Sequence, residues 1–561
     1  MSRSVATGLV FVFSAVVLVL LMDRTIDIFD EGLVLTNAMR TLVGDVDHRD
    51  YYSPYGPASF YAFAAAFRLS DYPFLAARLV GVSVMAGLCA TTFHTLFTRT
   101  RPWICLVFTG LVGAWLVASP KYLYPLFPCL LLALIGTLLV LHSLTRPKAS
   151  ALFWAGCCTG AAALFRYDGG FYLLLAHVAA MAVLILSDRT RKGAAARLVR
   201  AMAIYGAGVA LVFLPAAIAF AATGSIAGFV ADIVDYPLHY YGAMRRLPFP
   251  GLATVLRSPS EAGVYLPVVA TAFAAFRLST LGVRLADDGA QKTGDEARFL
   301  VLFTILTVAF FCKGLVRVSP LHMMMAIVPA NLLLAVLVER WLCPGAHRVA
   351  AVIALAAAII PSAAAARREL AASVREPTRT FAGLAALAIG SGGAATPPDG
   401  CSISPAAKGS RNPPDYRAVV TYLRRYSAPQ ERIFVGLNRH DRIFVNSVGL
   451  YFLAGRLPGT HWHQFDPGLQ TRRDIQQAII ADLQRNRVRW VVRDASFDHV
   501  IEPNESRRSS GVYDLDNYLA SNFRPVARAG LVEIWLSTAS PAPPQIGQGA
   551  CLPKPVISAT P

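Results

Sequence analysis

Long apolar runs separated by short charged stretches dominate the first two thirds of the chain. Runs near 6–22, 73–97, 103–118, 126–142, 151–165, 169–187, 201–222, 263–277, 299–312, 320–338 and 349–366 are almost free of charge. A helix needs about 20 such residues to cross roughly 30 Å of hydrocarbon, so the pattern predicts eleven spans. The first run differs from a cleaved leader. A single basic residue, Arg3, precedes it, no small-residue cleavage site follows, and the acids Asp23, Asp27, Asp30 and Glu31 come next. It is read as a retained span.

The pattern changes near residue 367. Residues 367–414 read as a linker, Gly-, Ser- and Pro-rich from 390. Between 415 and 540 the spacing predicts helices over 416–426 and 474–487 and strands over 432–435, 489–492 and 531–536; residues 541–561 form a Pro-rich tail. The expected fold is a polytopic α-helical membrane core, residues 1–366, carrying a small C-terminal extracytoplasmic α/β domain.

Composition agrees. Hydrophobic residues make up 55% of the chain, charged residues 15%, and mean hydropathy is +0.49; soluble domains carry about a quarter charged residues. Charge also predicts orientation, because Lys and Arg in short loops stay cytoplasmic. One set of loops, with the N-terminus and Arg277, holds 16 basic and 6 acidic residues; the other holds 11 basic and 12 acidic. The cluster Arg189, Arg191, Lys192, Arg197 and Arg200 is the clearest cytoplasmic anchor. Eleven spans then put the N-terminus inside and everything after 367 outside, as expected of a multi-pass protein of the bacterial inner membrane. Residues from Arg367 onward carry 24 basic and 16 acidic residues, a face suited to anionic headgroups or acidic glycans or a plain solvated surface. No nucleic-acid module is visible. Cys401 and Cys551 bracket the outer domain, where an oxidising compartment would let them pair.

Candidate chemistry begins in the first outer loop. Asp30 and Glu31 follow the first span, and an amphipathic helical pattern runs from Gly32 through Leu33, Leu35, Ala38, Met39 and Leu42. Acids at a helix start can simply stabilise its free amides. Alternatively, a carboxyl near low dielectric has the raised pKa a general base needs. Asp45, Asp47 and Asp50 lie among Gly44, Pro54, Gly56 and Pro57 and read as turn residues.

The order of features is telling: a span, IFDEG at 28–32, GDVDHRDYYSPYGP at 44–57, then a span holding AARL at 76–79. It resembles the membrane-integral C-type (GT-C) glycosyltransferases, in particular bacterial members similar to protein mannosyltransferases and to the aminoarabinose transferases of lipid A. The resemblance covers about the first 190 residues. It implies an outer active site, a polyprenyl-phosphate sugar donor, a glycan, lipid or protein acceptor, and an acid of the first outer loop as base. That acid is Asp30, with Glu31 as helper or alternative, and Tyr55 from the same loop is a candidate substrate contact.

Charges beside other spans are costly unless paired or wet, and each is a candidate. Arg166 and Asp168 of FRYDGG share a turn of a few residues. Arg166 is assigned to the donor phosphate, whose oxygens match a guanidinium fork, and Asp168 to a hydroxyl or a metal, unless the two neutralise one another. Lys121 in SPKYLYP, and Lys313, Arg317 and His322 in KGLVRVSPLH, are further cations and a histidine at the same face. KGLVRVSPLH loosely matches a basic outer loop that contacts the lipid phosphate in the family it resembles, without that loop's Tyr-rich continuation; snorkelling to headgroups is the plain alternative there, and interfacial belt anchoring is the plain alternative for Lys121. The loop 223–262 reads as an interfacial lid or acceptor platform. His461 and His463 lack a third ligand at metal spacing; no cofactor is assigned, and a divalent cation is left open. A transporter or lipid flippase is the other class with many spans, but it predicts ionisable groups at the midplane, where this chain has acids gathered at one face.

Overall fold

The computed structural model describes residues 2–22, 26–70, 72–187, 193–281, 291–342, 347–375 and 416–541. The chain opens with α1 (Arg3–Leu20), passes through α2 (Asp30–Leu42) and α3 (Ala58–Arg68), and enters the bundle α4 (Pro73–Leu96), α5 (Pro102–Val117), α6 (Leu126–Thr145), α7 (Ala149–Phe165), α8 (Tyr167–Leu186) and α9 (Ala194–Thr223). Four further apolar helices follow, Leu266–Thr280, Gln291–Gly314, Met324–Trp341 and Arg348–Arg375. With α1 and α4–α9 they match the eleven apolar runs. Among the described residues, nine helices are long and apolar enough to cross a membrane, and α5 and α7 are shorter.

The differences from the sequence expectation have local causes. The helix Arg348–Arg375 continues past residue 366, because Ala and Arg favour helix even where hydropathy falls. Residues 231–235 and 237–241 take wide π-helical turns, so that 226–245 is one continuous helix lying outside the spans. The Gly-, Ser- and Pro-rich stretch 390–414 with Cys401, the tail from 542 with Cys551, and Arg189, Arg191 and Lys192 lie outside the described residues.

The C-terminal domain packs Tyr416–Tyr426 and Arg473–Arg485 around strands β1 (Ile433–Leu437), β2 (Trp490–Asp494), β3 (Phe523–Ala529) and β4 (Val532–Ser537) in the order β1-β2-β4-β3. β1 and β2 are parallel; β4 runs antiparallel to both β2 and β3. The expected strands coincide with β1, β2 and β4. β3 is an edge strand containing Pro525, a residue tolerated there and depleted elsewhere in sheets.

This domain sits directly on α2. Leu33, Val34 and Leu35 of α2 and Phe60 and Phe63 of α3 share one apolar core with Phe434, Leu450 and Phe465. The closest approach is backbone to backbone: a Cβ on Gly32 would meet Gly449 Cα at 2.4 Å. Gly449 N–H donates to Ile28 O at 2.8 Å, and Thr36 Oγ1 to Val448 O at 3.1 Å. Arg40 donates to Thr460 O at 3.0 Å, and His463 Nε2 lies 2.8 Å from Asn37 Oδ1. At the far end of the bundle, Glu296 pairs with Arg277 at 3.0 Å and Arg340 at 2.9 Å, and Glu339 pairs with Arg101 at 3.2 Å.

Candidate active site

The helix α2 starts two residues before the predicted Gly32, for a visible reason. Asp27 Oδ1 accepts the amides of Phe29 (3.0 Å) and Asp30 (2.7 Å), donors that a helix start otherwise leaves open. Asp30 and Glu31 then diverge. Glu31 is wholly buried and pairs with Arg78 of α4 at 2.7 Å. The Arg78 guanidinium lies 4.9 Å from the ring centre of Phe74 and 5.8 Å from that of Tyr122.

Asp30 is half-buried, within electrostatic reach of Arg245 and Arg317 from other elements. Burial, reinforced by Asp27, pushes its carboxyl up to about 7, against the pull of Arg245 and Arg317. A helix N-terminus favours the charged form, so here loss of water outweighs the helix.

Arg166 forms the whole connection between α7 and α8, in extended conformation. It forks onto Asp168 with two bonds of 2.9 Å, and Lys313 Nζ reaches the same carboxylate at 3.5 Å. The Asp168 side chain is 44% exposed and that of Lys313 4%, so a buried cation is held by a partly exposed acid. The Arg166 guanidinium also lies 5.3 Å from the centre of the Tyr55 ring, whose hydroxyl meets that of Tyr124 at 3.3 Å. Lys121 is buried in the turn between α5 and α6 that carries Tyr122 and Tyr124.

From the sheet domain, Glu502 is forked by Arg317 at 2.6 and 2.9 Å, and Asp466 meets Arg245 at 2.7 Å. Arg317 also donates to Arg245 O at 3.1 Å, tying the two pairs together. Asp466 accepts from Tyr52 Oη at 3.1 Å and Gln464 Nε2 at 3.0 Å. His322 bonds Ser319 through Nδ1 at 2.8 Å. Burial, and then Lys313, Arg317, Arg166 and Arg245, hold its ring well below the ordinary range, so it is neutral.

The structure thus gathers Asp30, Tyr55, Arg166, Asp168, Lys313, Arg317 and His322 at the end of the bundle capped by the sheet domain. Glu31 stands beside Asp30 in sequence but faces Arg78. Arg245, Asp466 and Glu502 join the cluster without having been singled out by the sequence; Arg245 lies in the loop 223–262 and Asp466 in the segment YFLAGRLPGTHWHQFDPG, whereas no pattern marks Glu502. Among the described residues no group of three or more His, Cys, Asp or Glu side chains is arranged to hold a metal.

No protein-family model matches the chain, and no curated protein does. Solved structures do. ArnT from Cupriavidus metallidurans bound to undecaprenyl phosphate is 13% identical with a TM-score of 0.51, covering 97% of this chain and 99% of that one. The same protein in the apo state is 15% identical with a TM-score of 0.52, covering 97% and 100%. Over nearly its whole length, therefore, the chain has the fold of ArnT, a polytopic helical bundle with a small C-terminal sheet domain, as the sequence resemblance implied.

Proposed function

We propose that this protein is a glycosyltransferase that moves a sugar from a polyprenyl-phosphate carrier to an acceptor hydroxyl, on the extracytoplasmic side of a bacterial inner membrane. The observation that carries this reading is the gathering of Asp30, whose carboxyl is pushed up to about 7, with Arg166, Lys313, Arg317 and Arg245 at one end of the bundle. The ArnT structure with undecaprenyl phosphate supports a lipid-phosphate donor for the same fold.

In the reaction, the acceptor oxygen attacks the anomeric carbon and gives its proton to the Asp30 carboxylate. The bond from that carbon to the phosphate oxygen breaks, and the phosphate leaves with the electron pair, so the sugar inverts. Cations aimed at the developing phosphate charge stabilise the leaving group. Arg166 supplies a planar fork, with Lys313 and Arg317 as further positive charge. Lys121 adds a cation from the turn between α5 and α6. Asp168, Tyr55 and neutral His322 supply hydrogen-bonding groups for the sugar or the acceptor. Glu31 keeps Arg78 and the start of α2 in place. A carrier protein would set its ionisable groups midway through the bundle; this cluster lies at one end of it.

The test is genetic and chemical. In the host lacking this gene, envelope glycans, lipids and proteins are compared by mass spectrometry with those of cells restored by the wild-type gene or by Asp30→Asn. A sugar residue missing from the deletion and the Asp30→Asn strain, and restored by the wild type, is the expected result. Full restoration by Asp30→Asn removes Asp30 from the role.

A further inference from the structure

His48 lies outside the groups described so far, and its setting is unusual. Its backbone is left-handed, with φ 64°, yet the residue is 2% exposed. A non-glycine residue holds that conformation only where its surroundings enforce it. Nδ1 lies 2.8 Å from Asp232 Oδ2, and Nε2 lies 3.3 Å from the Tyr167 hydroxyl and 3.6 Å from Asp47 Oδ2. With its proton on Nδ1, the ring donates to Asp232 and accepts from Tyr167. Phe220 and Phe229 meet it edge-on at 5.6 and 5.3 Å. Gly228 crosses so near the His48 carbonyl that a Cβ there would come within 1.8 Å of its oxygen, so that crossing requires glycine.

Three parts of the site meet at this ring. The first loop brings His48 itself and Ser53, whose amide donates to the same Asp232 oxygen at 3.2 Å. Tyr167 stands between Arg166 and Asp168. Asp232 belongs to the helical segment 226–245, whose other end brings Tyr241 within electrostatic reach of Arg317 and Arg166, and Arg245 acts on the charge of Asp30. Elsewhere the segment is held by Tyr236 Oη on Pro467 O (3.0 Å) and by Arg245 on Asp466, while Ile226, Val230, Val234 and Leu238 along one side are exposed. Its π-helical turns are rare in helices and often mark functional positions.

We propose that His48 and Asp232 form a latch that holds the segment 226–245 against the first loop and the α7–α8 turn, so that Arg245 stays placed near Asp30, and Tyr241 near Arg166 and Arg317, for a lipid-phosphate ligand. They are positioning residues. The part played for the ligand rests on the function proposed above; the latch itself does not.

The test uses the full-length protein in lipid nanodiscs, with hydrogen–deuterium exchange and undecaprenyl phosphate binding measured on the same samples. In His48→Phe and Asp232→Ala, amide exchange across 226–245 rises about tenfold or more, as loss of a buried charge-assisted bond implies, while exchange in β1–β4 and α6 is unchanged. The double variant exchanges no faster than either single one, and Asp232→Asn, which keeps an acceptor, restores most of the protection. Affinity for undecaprenyl phosphate falls about tenfold in step with the population of the open segment. Unchanged exchange in 226–245, additive effects in the double variant, or no recovery with Asp232→Asn overturns the latch. Faster exchange with unchanged affinity overturns its role in holding the ligand site. If the wild type does not bind undecaprenyl phosphate while the exchange pattern holds, the lipid-phosphate reading falls and the latch stands.

Discussion

Ion pairs link elements at both ends of the bundle, and they do different things. At the far end Glu296 joins Arg277 to Arg340, and Glu339 joins Arg101, with arginines 25–46% exposed. Each acid lies between helices, and the arginines reach toward water. At the capped end, Asp466 and Glu502 come from the sheet domain, and Arg245 and Arg317 from the membrane part. There the pairs surround an acid, Asp30, that burial holds partly protonated near neutrality. Pairs at the far end staple helices. Pairs at the capped end keep four cations desolvated and oriented where a further anion could share them.

The sharpest way to break this contrast is Asp30→Asn. Transfer should fall by about a thousandfold, within the range of a lost general base and a misplaced nucleophile, with the circular dichroism and melting temperature of the purified protein retained. Next, Glu31→Gln should do the opposite, since removing one member of a buried pair costs about 3–5 kcal/mol of stability; a melting temperature equal to wild type would show that the two neighbouring acids are not so divided. Arg166→Lys keeps the charge and loses the fork, and should lower kcat/KM about 10–100-fold.

The pH profile sharpens the contrast further. In the proposed reaction the working form of Asp30 is the carboxylate, so activity should rise with pH through about 7 and level off above it. Stability has the reverse sign. A raised folded-state pKa means that the folded protein holds this proton more tightly than the unfolded chain does, so its contribution is present below the ordinary carboxyl range and is lost as pH rises through about 7. Asp30→Asn should remove that loss, which unfolding midpoints at pH 5 and 8 would measure. The smallest effect is expected at the far end, where Glu339→Gln should change stability by less than about 1 kcal/mol and leave transfer within twofold.

Much of the fold was legible because hydropathy has a period and a length. Eleven apolar runs became eleven helices, short apolar runs located β1 and β2, and an alternating pattern located β4. β3 escaped because its sequence, FRPVARA, mixes arginines and a proline with small apolar residues along an exposed edge. In the site, Asp30, Arg166 and Asp168 were legible as charges set beside spans. Arg245, Asp466 and Glu502 were not, since their partners lie 221 and 185 positions away and no local pattern encodes such a meeting. Nor could adjacency distinguish Asp30 from Glu31. Successive helical residues point about 100° apart, and whether Arg78 waits on one side depends on how α4 packs.

The contact between Gly32 and Gly449 has a consequence of its own. Because two backbones touch there with no side chain between them, the sheet domain acts as a jig for the first turn of α2: it sets the height and rotation of Asp30 by a surface that has no give. A single methyl on either glycine would tilt the base relative to Arg166, whose position is set by two membrane helices instead. The alignment of Asp30 with Arg166 is thereby fixed at a place that bears no charge.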